Sequence, residues 1–484
     1  MKPSQWAGLV AGAIAFVVML ALPSPEGLPD EGWRMAAVGV LMAIWWMTEA
    51  IPISATALLP LVLFPGLGIL TMSSAAAPYA NELIFLFMGG FFIAFAMERW
   101  ALHRRLALSI VAAVGTSPRR LVLGFMVATA FLSMWISNTA ATAMMLPIGM
   151  ALGAMFRPSD QEGPFEFGIA LMLGTAYAAS IGGAATLIGT PPNAVMAGAA
   201  SEMLGIQIGF VQWMRVGVPI AIIMLPIAWL LLVGVLYPPG RLAGNAAALI
   251  ASERRGMGPA SRGEKVVGIV FALTALAWVF REPKPVGAFT IPGIETFFPF
   301  VTDATIAIAG AVALFLIPVD RKRGVFALDW QTANRIPWGV LLLFGGGLSL
   351  ARGMDQSGLA TWIGAGVGGL GVVPAIIILL TIATLFVFLT EMTSNTATST
   401  MAMPIMAGVA VGLGFAPLTL MAVAALSASM AFMLPVATPP NAIVFGSGYL
   451  TIPQMVKAGF WMNLIAIALI TLFATLLIPL VLAS

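Results

Sequence analysis

The sequence has little charge, a single histidine and no cysteine. Asp, Glu, Lys and Arg make up 8% of its 484 residues, whereas a soluble protein has roughly 25%. So few charged side chains cannot cover a surface that faces water, which excludes an ordinary soluble fold. The absence of cysteine excludes disulfides, thiolate metal sites and cysteine nucleophiles. Because His103 is the only histidine, a histidine metal cluster and a histidine proton relay are excluded as well.

Apolar residues dominate instead. They account for 60% of the chain, and the mean hydropathy is +1.03. Many apolar runs reach about 18–20 residues, the length that a helix needs to cross a bilayer. We therefore expect an all-α polytopic membrane protein whose first span, 6–22, is retained rather than cleaved. The net charge of +3 does not indicate a nucleic-acid partner, because basic residues of membrane proteins collect on the cytoplasmic side.

Two polar motifs occur twice inside this apolar sequence. SNTAATAMMLP at 137–147 recurs as SNTATSTMAMP at 394–404, with 6 of 11 positions identical. Each copy is followed by a second shared motif, GTPPNAV at 189–195 and ATPPNAI at 437–443. Non-helical backbone at membrane depth is tolerated only where it lines a protein-enclosed site. Paired polar, proline-containing breaks are typical of transporters with two half-sites.

The repeat has a fixed register. Ser137 and Ser394 are 257 residues apart, as are Phe87 and Phe344, whereas the TPPN motifs are 248 apart. A polar loop at 157–167, absent from the second half, accounts for the difference. We expect a first repeat at 1–240 with a re-entrant hairpin around 121–156. A cytoplasmic linker at 241–264 follows, and then a second repeat at 265–484 with a hairpin around 372–414.

The basic residues predict the orientation of these repeats. With the N-terminus inside and each SNT motif at the tip of a hairpin, 17 of the 22 Lys and Arg residues fall on the cytoplasmic face. The other five lie outside: Arg34, Arg215, Arg281, Lys284 and Arg352. This distribution follows the positive-inside rule. It also makes the two halves inverted relative to each other.

The repeated motifs have the chemistry of an ion site. Ser, Asn and Thr offer neutral oxygens, which suit a monovalent cation such as Na⁺, whereas a divalent ion would recruit carboxylates. The N-termini of the broken helices attract an anion. The alternative is that Ser, Asn and Thr only hold membrane helices together by hydrogen bonds. Two motif pairs in register favour the site, and they predict an anion pocket without Arg or Lys.

Two acids lie within apolar stretches. Glu49 and Glu391 are candidates for proton coupling, because acids in membrane spans are usually functional. Glu391 has no acidic counterpart in the first half, where FLSM occupies 131–134. We favour a structural hydrogen-bonding role for both. No nucleophile–base pair or nucleotide-binding glycine loop stands out, which argues against an enzyme.

With its paired SNT and TPPN motifs and the stretch WWMTEAIPISATALLPLVLFP at 45–65, the chain resembles the divalent anion:sodium symporter family from end to end. The resemblance implies a homodimer of two inverted repeats, each protomer with about eleven transmembrane helices and two re-entrant hairpins. It also implies a transport domain that moves like an elevator against a scaffold.

The resemblance further implies the residues of the site. A first sodium ion would be held by Ser133, Ser137, Asn138 and the Gly189 region. A second would be held by Thr390, Thr393, Asn395 and the Ala437 region. The substrate carboxylates would meet Asn138, Thr139, Asn395 and Thr396, with Thr190, Pro191, Thr438 and Pro439 closing the pocket. Since position 189 is Gly and its counterpart 437 is Ala, the two sites need not bind equally.

The expected function is sodium-coupled import of C4-dicarboxylates such as succinate, fumarate or malate across the cytoplasmic membrane of a bacterium. Two alternatives on the same fold stay open, a sodium-independent dicarboxylate exchanger and a carrier of sulfate or citrate. A channel would show flux that does not saturate and is insensitive to counter-substrate.

Overall fold

The computed structural model describes residues 3–157, 165–240, 246–286 and 289–482, and helices make up most of them. Lys2 and Arg241, two of the 17 basic residues assigned to the cytoplasmic face, lie outside the described residues. Up to residue 240 the helices are α1 (Pro3–Ala21), α2 (Asp30–Thr48), α3 (Ile53–Thr56), α4 (Leu59–Gly66), α5 (Met72–Ala76), α6 (Glu82–Arg99), α7 (Leu102–Val114), α8 (Pro118–Ser133), α9 (Asn138–Phe156), α10 (Glu166–Gly183), α11 (Pro191–Leu204) and α12 (Phe210–Leu230). A 3₁₀ turn at Ala77–Ala80 precedes α6, and a π-helical turn at Leu231–Leu236 extends α12.

The rest of the chain continues in the same way. Its helices are α13 (Ala246–Gly256), α14 (Arg262–Val279), α15 (Ile294–Phe297), α16 (Asp303–Leu316), α17 (Trp330–Ala333), α18 (Trp338–Gln356), α19 (Leu359–Val367), α20 (Ala375–Thr390), α21 (Asn395–Leu413), α22 (Pro417–Ala428), α23 (Pro439–Phe445), α24 (Ile452–Leu476) and α25 (Ile478–Leu482), with a 3₁₀ turn at Gly368–Val372 after α19. Two antiparallel hairpins interrupt them: β1 (Lys284–Val286) with β2 (Phe289–Ile291), and β3 (Pro318–Asp320) with β4 (Val325–Phe326). These small hairpins are an addition to the all-α prediction.

The predicted membrane character is confirmed. Within the described residues, six helical stretches are long and apolar enough to cross a bilayer: Pro3–Ala21, Met72–Arg99, Asn138–Phe156, Phe210–Leu236, Asn395–Leu413 and Ile452–Leu476. Shorter apolar helices, such as Ala375–Thr390 and Pro417–Ala428, lie between them. Several apolar helices are therefore shorter than a full membrane span, because non-helical segments interrupt the apolar sequence.

Helix bounds in the two halves recur at the offset read from the sequence. α8 begins at 118 and α20 at 375, and α9 begins at 138 and α21 at 395, so each pair is 257 residues apart. α11 begins at 191 and α23 at 439, which is the offset of 248. The prolines contribute to this agreement, because Pro118, Pro191 and Pro439 stand at helix starts where a missing N–H costs nothing.

Two helices, α10 and α22, are buried on all sides and come directly before the breaks. Every residue of α10 from Phe167 to Gly183, and of α22 from Leu418 to Ala428, is buried. A helix that is apolar all round belongs in the interior. α10 packs on α8 and α9, and α22 packs on α20 and α21. The non-helical segments that follow α10 and α22 are therefore held against the tips of the two helical hairpins.

Candidate functional site: two half-sites on one cavity

Each SNT motif lies in the turn of a helical hairpin. α8 ends at Ser133 and α9 begins at Asn138, whereas α20 ends at Thr390 and α21 begins at Asn395. The first N–H groups of a helix have no partner within it, and together with the helix dipole they attract anions. Both hairpins thus present an SNT motif and a helix N-terminus at the same point.

In the first half-site, several oxygens converge on the Asn138 side chain. Ser133 Oγ lies 2.6 Å from the Asn138 amide and donates to the Ala179 carbonyl at 2.7 Å. The same edge of the amide lies 3.2 Å from Ala179 O and 3.1 Å from Gly189 O. With the amide nitrogen at this edge, each contact is a hydrogen bond. With the amide oxygen there, the Ser133 hydroxyl and the carbonyls of Ala179 and Gly189 lie within 2.6–3.2 Å of it, and these four neutral oxygens form a donor set suited to a monovalent cation.

The second half-site repeats this arrangement. Thr390 Oγ1 lies 2.7 Å from Asn395 Oδ1 and 2.9 Å from the Ala428 carbonyl oxygen, and it shares its single hydroxyl hydrogen between these two acceptors. Thr390 is buried at the end of its hairpin helix, as Ser133 is in the first half. A hydroxyl therefore links the motif asparagine to the carbonyl end of a buried helix in both halves. The sequence argument did not identify the Ala179 and Ala428 carbonyls, because a backbone acceptor leaves no signal in residue type.

Two predicted cation ligands use their hydroxyls elsewhere. Ser137 Oγ accepts a hydrogen bond from Ala140 N at 3.2 Å and so caps α9. Thr393 Oγ1 donates to the Leu389 carbonyl at 2.8 Å. Both residues still line the cavity described below. The hydroxyl that contacts both the motif asparagine and a backbone carbonyl is therefore that of Ser133 in the first half-site and that of Thr390 in the second.

Each TPPN motif lies at the start of the helix that follows a break: α11 in the first half and α23 in the second. Asn193 Nδ2 donates to the carbonyls of Gly183 at 3.3 Å, Ala184 at 3.2 Å and Thr186 at 2.7 Å. Asn441 Nδ2 donates to those of Ala431 at 3.2 Å and Leu434 at 3.0 Å. Both asparagines are completely buried. They act as braces of the broken segments, a role that the sequence argument missed because it considered only the threonines and prolines of the motif.

Gly189 has a steric reason to be glycine. A Cβ at this position would lie 2.9 Å from the Ser133 carbonyl oxygen and closer still to that of Gly183. Its counterpart Ala437 carries a Cβ and is buried. The difference between Gly and Ala seen in the sequence thus corresponds to a closer approach of backbone segments in the first half-site.

Glu391 braces the second broken segment. Its Oε1 accepts from the backbone N–H groups of Phe432 at 2.7 Å and Met433 at 2.9 Å, and Oε2 accepts from that of Leu434 at 3.1 Å. Asn463 Nδ2 also donates to Oε1, at 2.8 Å. The expected structural role is confirmed for Glu391. By contrast, Glu49 is exposed on the cavity wall.

Both half-sites open into one cavity of about 1,210 Å³. All eight predicted substrate residues line it: Asn138, Thr139, Thr190, Pro191, Asn395, Thr396, Thr438 and Pro439. Of the predicted cation ligands, Ser137, Gly189, Thr393 and Ala437 also line it, whereas Ser133 and Thr390 are buried behind its wall. The residues singled out in distant parts of the chain therefore meet at one site.

Ionisable side chains also reach this cavity. Glu49, Glu98, His103 and Arg335 line it, and Arg335 Nη2 lies 3.8 Å from Glu98 Oε1. The prediction of a pocket without Arg or Lys is therefore wrong for the cavity as a whole, because the segment before α18 brings Arg335 to its wall. Burial lowers the pKa of His103, which favours the neutral imidazole.

Across the described ranges, no group of three or more Asp, Glu or His side chains is placed to hold a metal ion. The donors gathered at the half-sites are hydroxyl, amide and carbonyl groups. Such a set suits Na⁺ better than a divalent ion, because divalent ions in proteins rely on carboxylates.

Comparison with known proteins agrees with this chemistry. A family model described as "Sodium:sulfate symporter transmembrane region" matches residues 3–483. The sodium-dependent dicarboxylate transporter SdcS of Staphylococcus saprophyticus is 44% identical over 483 residues, covering 98% of this chain and 92% of that protein. SdcS of Staphylococcus aureus strain bovine RF122 / ET3-1 is 44% identical over 487 residues, covering 99% and 92%. The crystal structure of the Alcanivorax borkumensis YdaH transporter superposes with a TM-score of 0.59 at 15% identity, covering 97% of this chain and 96% of that one.

Proposed function

The chain belongs to the sodium:sulfate symporter family, and from this membership and its two half-sites we propose that it is a sodium-coupled transporter of C4-dicarboxylates. The observation that carries the proposal is the shared cavity, onto which both SNT motifs and both TPPN motifs open. A dicarboxylate has two charged ends, and the cavity offers two equivalent sets of donors. The name of the 44% identical relatives, sodium-dependent dicarboxylate transporters, supports the same substrate class. The function is transport and not catalysis.

The first sodium ion is coordinated by Ser133 Oγ, the Asn138 amide oxygen and the carbonyls of Ala179 and Gly189. These groups already lie within 2.6–3.2 Å of the Asn138 amide. Binding turns the amide oxygen towards the ion. All four ligands are neutral, so the bound ion leaves a net positive charge beside the N-terminus of α9.

The second sodium ion is coordinated by Thr390 Oγ1, Asn395 Oδ1 and the Ala428 carbonyl, which the hydrogen bonds of Thr390 already bring together. Because the Thr393 hydroxyl is engaged within its hairpin, only its backbone carbonyl joins this set. The Ala437 carbonyl completes the site, as Gly189 does in the first half.

The substrate carboxylates are bound by hydroxyl and amide donors. In the first turn of α9, Ala140 N is capped by Ser137 and Ala141 N bonds to the Ser137 carbonyl at 3.0 Å. The N–H groups of Asn138 and Thr139 have no partner within the helix. They bind one carboxylate, and the corresponding groups of Asn395 and Thr396 bind the other. α11 and α23 contribute less, because each begins with two prolines that have no N–H.

The proposal also includes the side of the membrane to which the cavity opens and the membrane in which the protein lies. Ser4, Gln5, Glu98, His103 and Arg335 line the cavity and belong to segments that the basic residues assign to the cytoplasm, so the conformation is open to the inside. We assign the protein to the cytoplasmic membrane of a bacterium, where it imports its substrate. We also propose that the protein is a homodimer, that each protomer consists of two inverted repeats, and that its transport domain moves like an elevator against a scaffold.

Uptake of radiolabelled succinate into proteoliposomes tests this function. With Na⁺ outside we expect saturable uptake, which fumarate and malate inhibit more strongly than sulfate, citrate or butyrate. With K⁺ in place of Na⁺ we expect none. Equal uptake in both salts, accompanied by counterflow from succinate-loaded vesicles, would replace the symporter by a sodium-independent exchanger. Strong inhibition by sulfate or citrate alone would reassign the substrate.

A further inference from the structure

A second pocket has none of the SNT or TPPN residues in its lining, and its segments are among those that the basic residues assign to the cytoplasm. It has a volume of about 630 Å³ and is lined by the β3–β4 hairpin, the start of α14 and Trp100. Arg321, Lys322 and Arg323 form the exposed tip of the hairpin. Arg262, the first residue of α14, also lines the pocket.

The charge of this pocket is unbalanced. Four basic side chains and one acid, Asp320, line it, so the net charge is 4 − 1 = +3. The Asp320 carboxylate is engaged within its own turn, because Oδ1 accepts from Lys322 N at 3.0 Å and from Arg323 N at 3.2 Å. The pocket therefore attracts anions.

Apolar side chains continue directly from the basic hairpin. Leu316 at the end of α16 is 69% exposed, Trp330 in α17 is 61% exposed and Phe326 in β4 is 40% exposed. Val312, one turn before Leu316, is 48% exposed on the same helix. Exposed tryptophan at the boundary between basic and apolar surface is typical of the membrane interface. Cations and apolar groups are thus arranged in the order of a lipid headgroup and its acyl chains.

We propose that this pocket binds an anionic glycerophospholipid of the cytoplasmic leaflet. The phosphate lies among the hairpin cations and Arg262, and an acyl chain runs along Leu316 and Trp330. Basic pockets on the cytoplasmic side of membrane helices suit such headgroups. A free anion would use only the charged half of the pocket, whereas a lipid uses both halves.

The bound lipid supports the helix that carries part of the cavity wall. Trp100 follows α6 and donates from Nε1 to the Ala327 carbonyl at 2.8 Å, which joins α6 to the segment after β4. Phe87, Phe91 and Phe95 of α6 line the large cavity. We therefore expect lipid binding to raise the thermal stability of the protein.

The test uses the purified, delipidated full-length protein in a neutral detergent. Phosphatidylglycerol, phosphatidylcholine with the same acyl chains, deacylated glycerophosphoglycerol and inorganic phosphate are titrated separately while the unfolding temperature is recorded. The test variant is R321Q/K322Q/R323Q. The matched control is R157Q/R254Q/R255Q, which removes three exposed positive charges outside the pocket from the same side.

Only phosphatidylglycerol should raise the unfolding temperature of the unmodified protein at micromolar concentration. Each basic residue near an anionic lipid contributes roughly a five-fold gain in affinity, so the test variant should bind about 100-fold more weakly and Lys322→Gln about five-fold. The control should stay within a few-fold of the unmodified protein. If the test and control variants lost affinity for phosphatidylglycerol equally, the binding would be explained by the overall positive charge of the surface and not by this pocket. An equal response to inorganic phosphate or phosphatidylcholine would overturn the lipid site.

Discussion

Asn463 donates its side-chain amide to Glu391 Oε1 at 2.8 Å, although the two residues are 72 positions apart. Both are buried, with 0% and 3% of their surface exposed. Glu391 lies in the turn between α20 and α21, and Asn463 lies in α24. Because the carboxylate also binds three backbone N–H groups of the broken segment after α22, one side chain connects the hairpin tip, the break and the last long helix.

Glu391→Gln should destabilise the protein. The substitution replaces one acceptor oxygen by an NH₂ group, which must face N–H donors that previously bound a carboxylate. Hydrogen bonds to a buried charged group contribute about 1.5–3 kcal/mol each, so a loss of about 3 kcal/mol in the free energy of unfolding is expected. Thermal unfolding in detergent measures it. Glu49→Gln, on the exposed cavity wall, is the matched control and should unfold like the unmodified protein. A stable Glu391→Gln that still transports would remove the bracing role.

The sequence alone predicted where the apolar stretches are broken, because the breaks depend on residue type and spacing. Serine or proline at helix starts, and motifs repeated at 257 and 248, correspond directly to α9, α21, α11 and α23. A fixed offset shows which residues are equivalent without showing their contacts. The family resemblance supplied the eight predicted substrate residues, all of which line one cavity.

The parts that could not be predicted depend on tertiary contacts that differ between the halves. At the position of Glu391 the first half has Met134, whose backbone carbonyl accepts from Thr186 Oγ1. The break there is also held by Trp213, which donates to the Ala184 carbonyl at 3.1 Å. An acid in one half and an indole in the other stabilise comparable breaks, so comparison of the two halves by residue type finds no match. Arg335 escaped prediction because its segment lies far from either motif.

Sodium should stabilise the protein against heat, whereas potassium should not. A ligand that binds only the folded state raises stability by mass action, and under the proposed function that ligand is Na⁺ and not K⁺. Asn138→Ala and Asn395→Ala should each reduce the shift in unfolding temperature produced by Na⁺. The measurement compares melting in equal concentrations of NaCl and KCl.

Gln207→Ala is the control for this comparison. Gln207 is exposed and lies outside the cavity wall, so its replacement should leave the sodium-dependent shift unchanged. If the unmodified protein melts at the same temperature in both salts, sodium coupling is abandoned in favour of exchange.

The accessible face of the cavity can be tested with a single thiol. The chain has no cysteine, so Val436→Cys, at a cavity position that is 83% exposed, introduces the only one. A membrane-impermeant maleimide should label it in inside-out vesicles and not in intact cells, because the wall residues around it belong to the cytoplasmic side. Phe289→Cys, 81% exposed in the strand that pairs with the strand of Lys284, should show the opposite pattern. Labelling of both from the same face would contradict the predicted orientation.

The last prediction concerns how the two ends of the substrate are held. Thr139 and Thr396 occupy equivalent positions in the two half-sites, each one residue after the asparagine of its SNT motif. Both threonines line the cavity. A lost hydrogen bond to a charged group is equivalent to about 1.5–3 kcal/mol, or about 10- to 150-fold in apparent affinity. Thr139→Ala and Thr396→Ala should therefore each raise the half-saturating succinate concentration by such a factor, whereas Arg215→Gln, at an exposed position of α12, should not change it.

A monocarboxylate provides the decisive comparison for this two-ended grip. Butyrate has the chain length of succinate and only one carboxylate, so it can engage the N-terminus of α9 or that of α21 but not both. We expect it to inhibit succinate uptake weakly, and we expect the Thr139→Ala and Thr396→Ala variants to discriminate less between the two anions because each has lost part of one grip. Inhibition by butyrate as strong as that by unlabelled succinate would show that the two motifs do not hold opposite ends of one ligand, since the second carboxylate would then contribute nothing to binding.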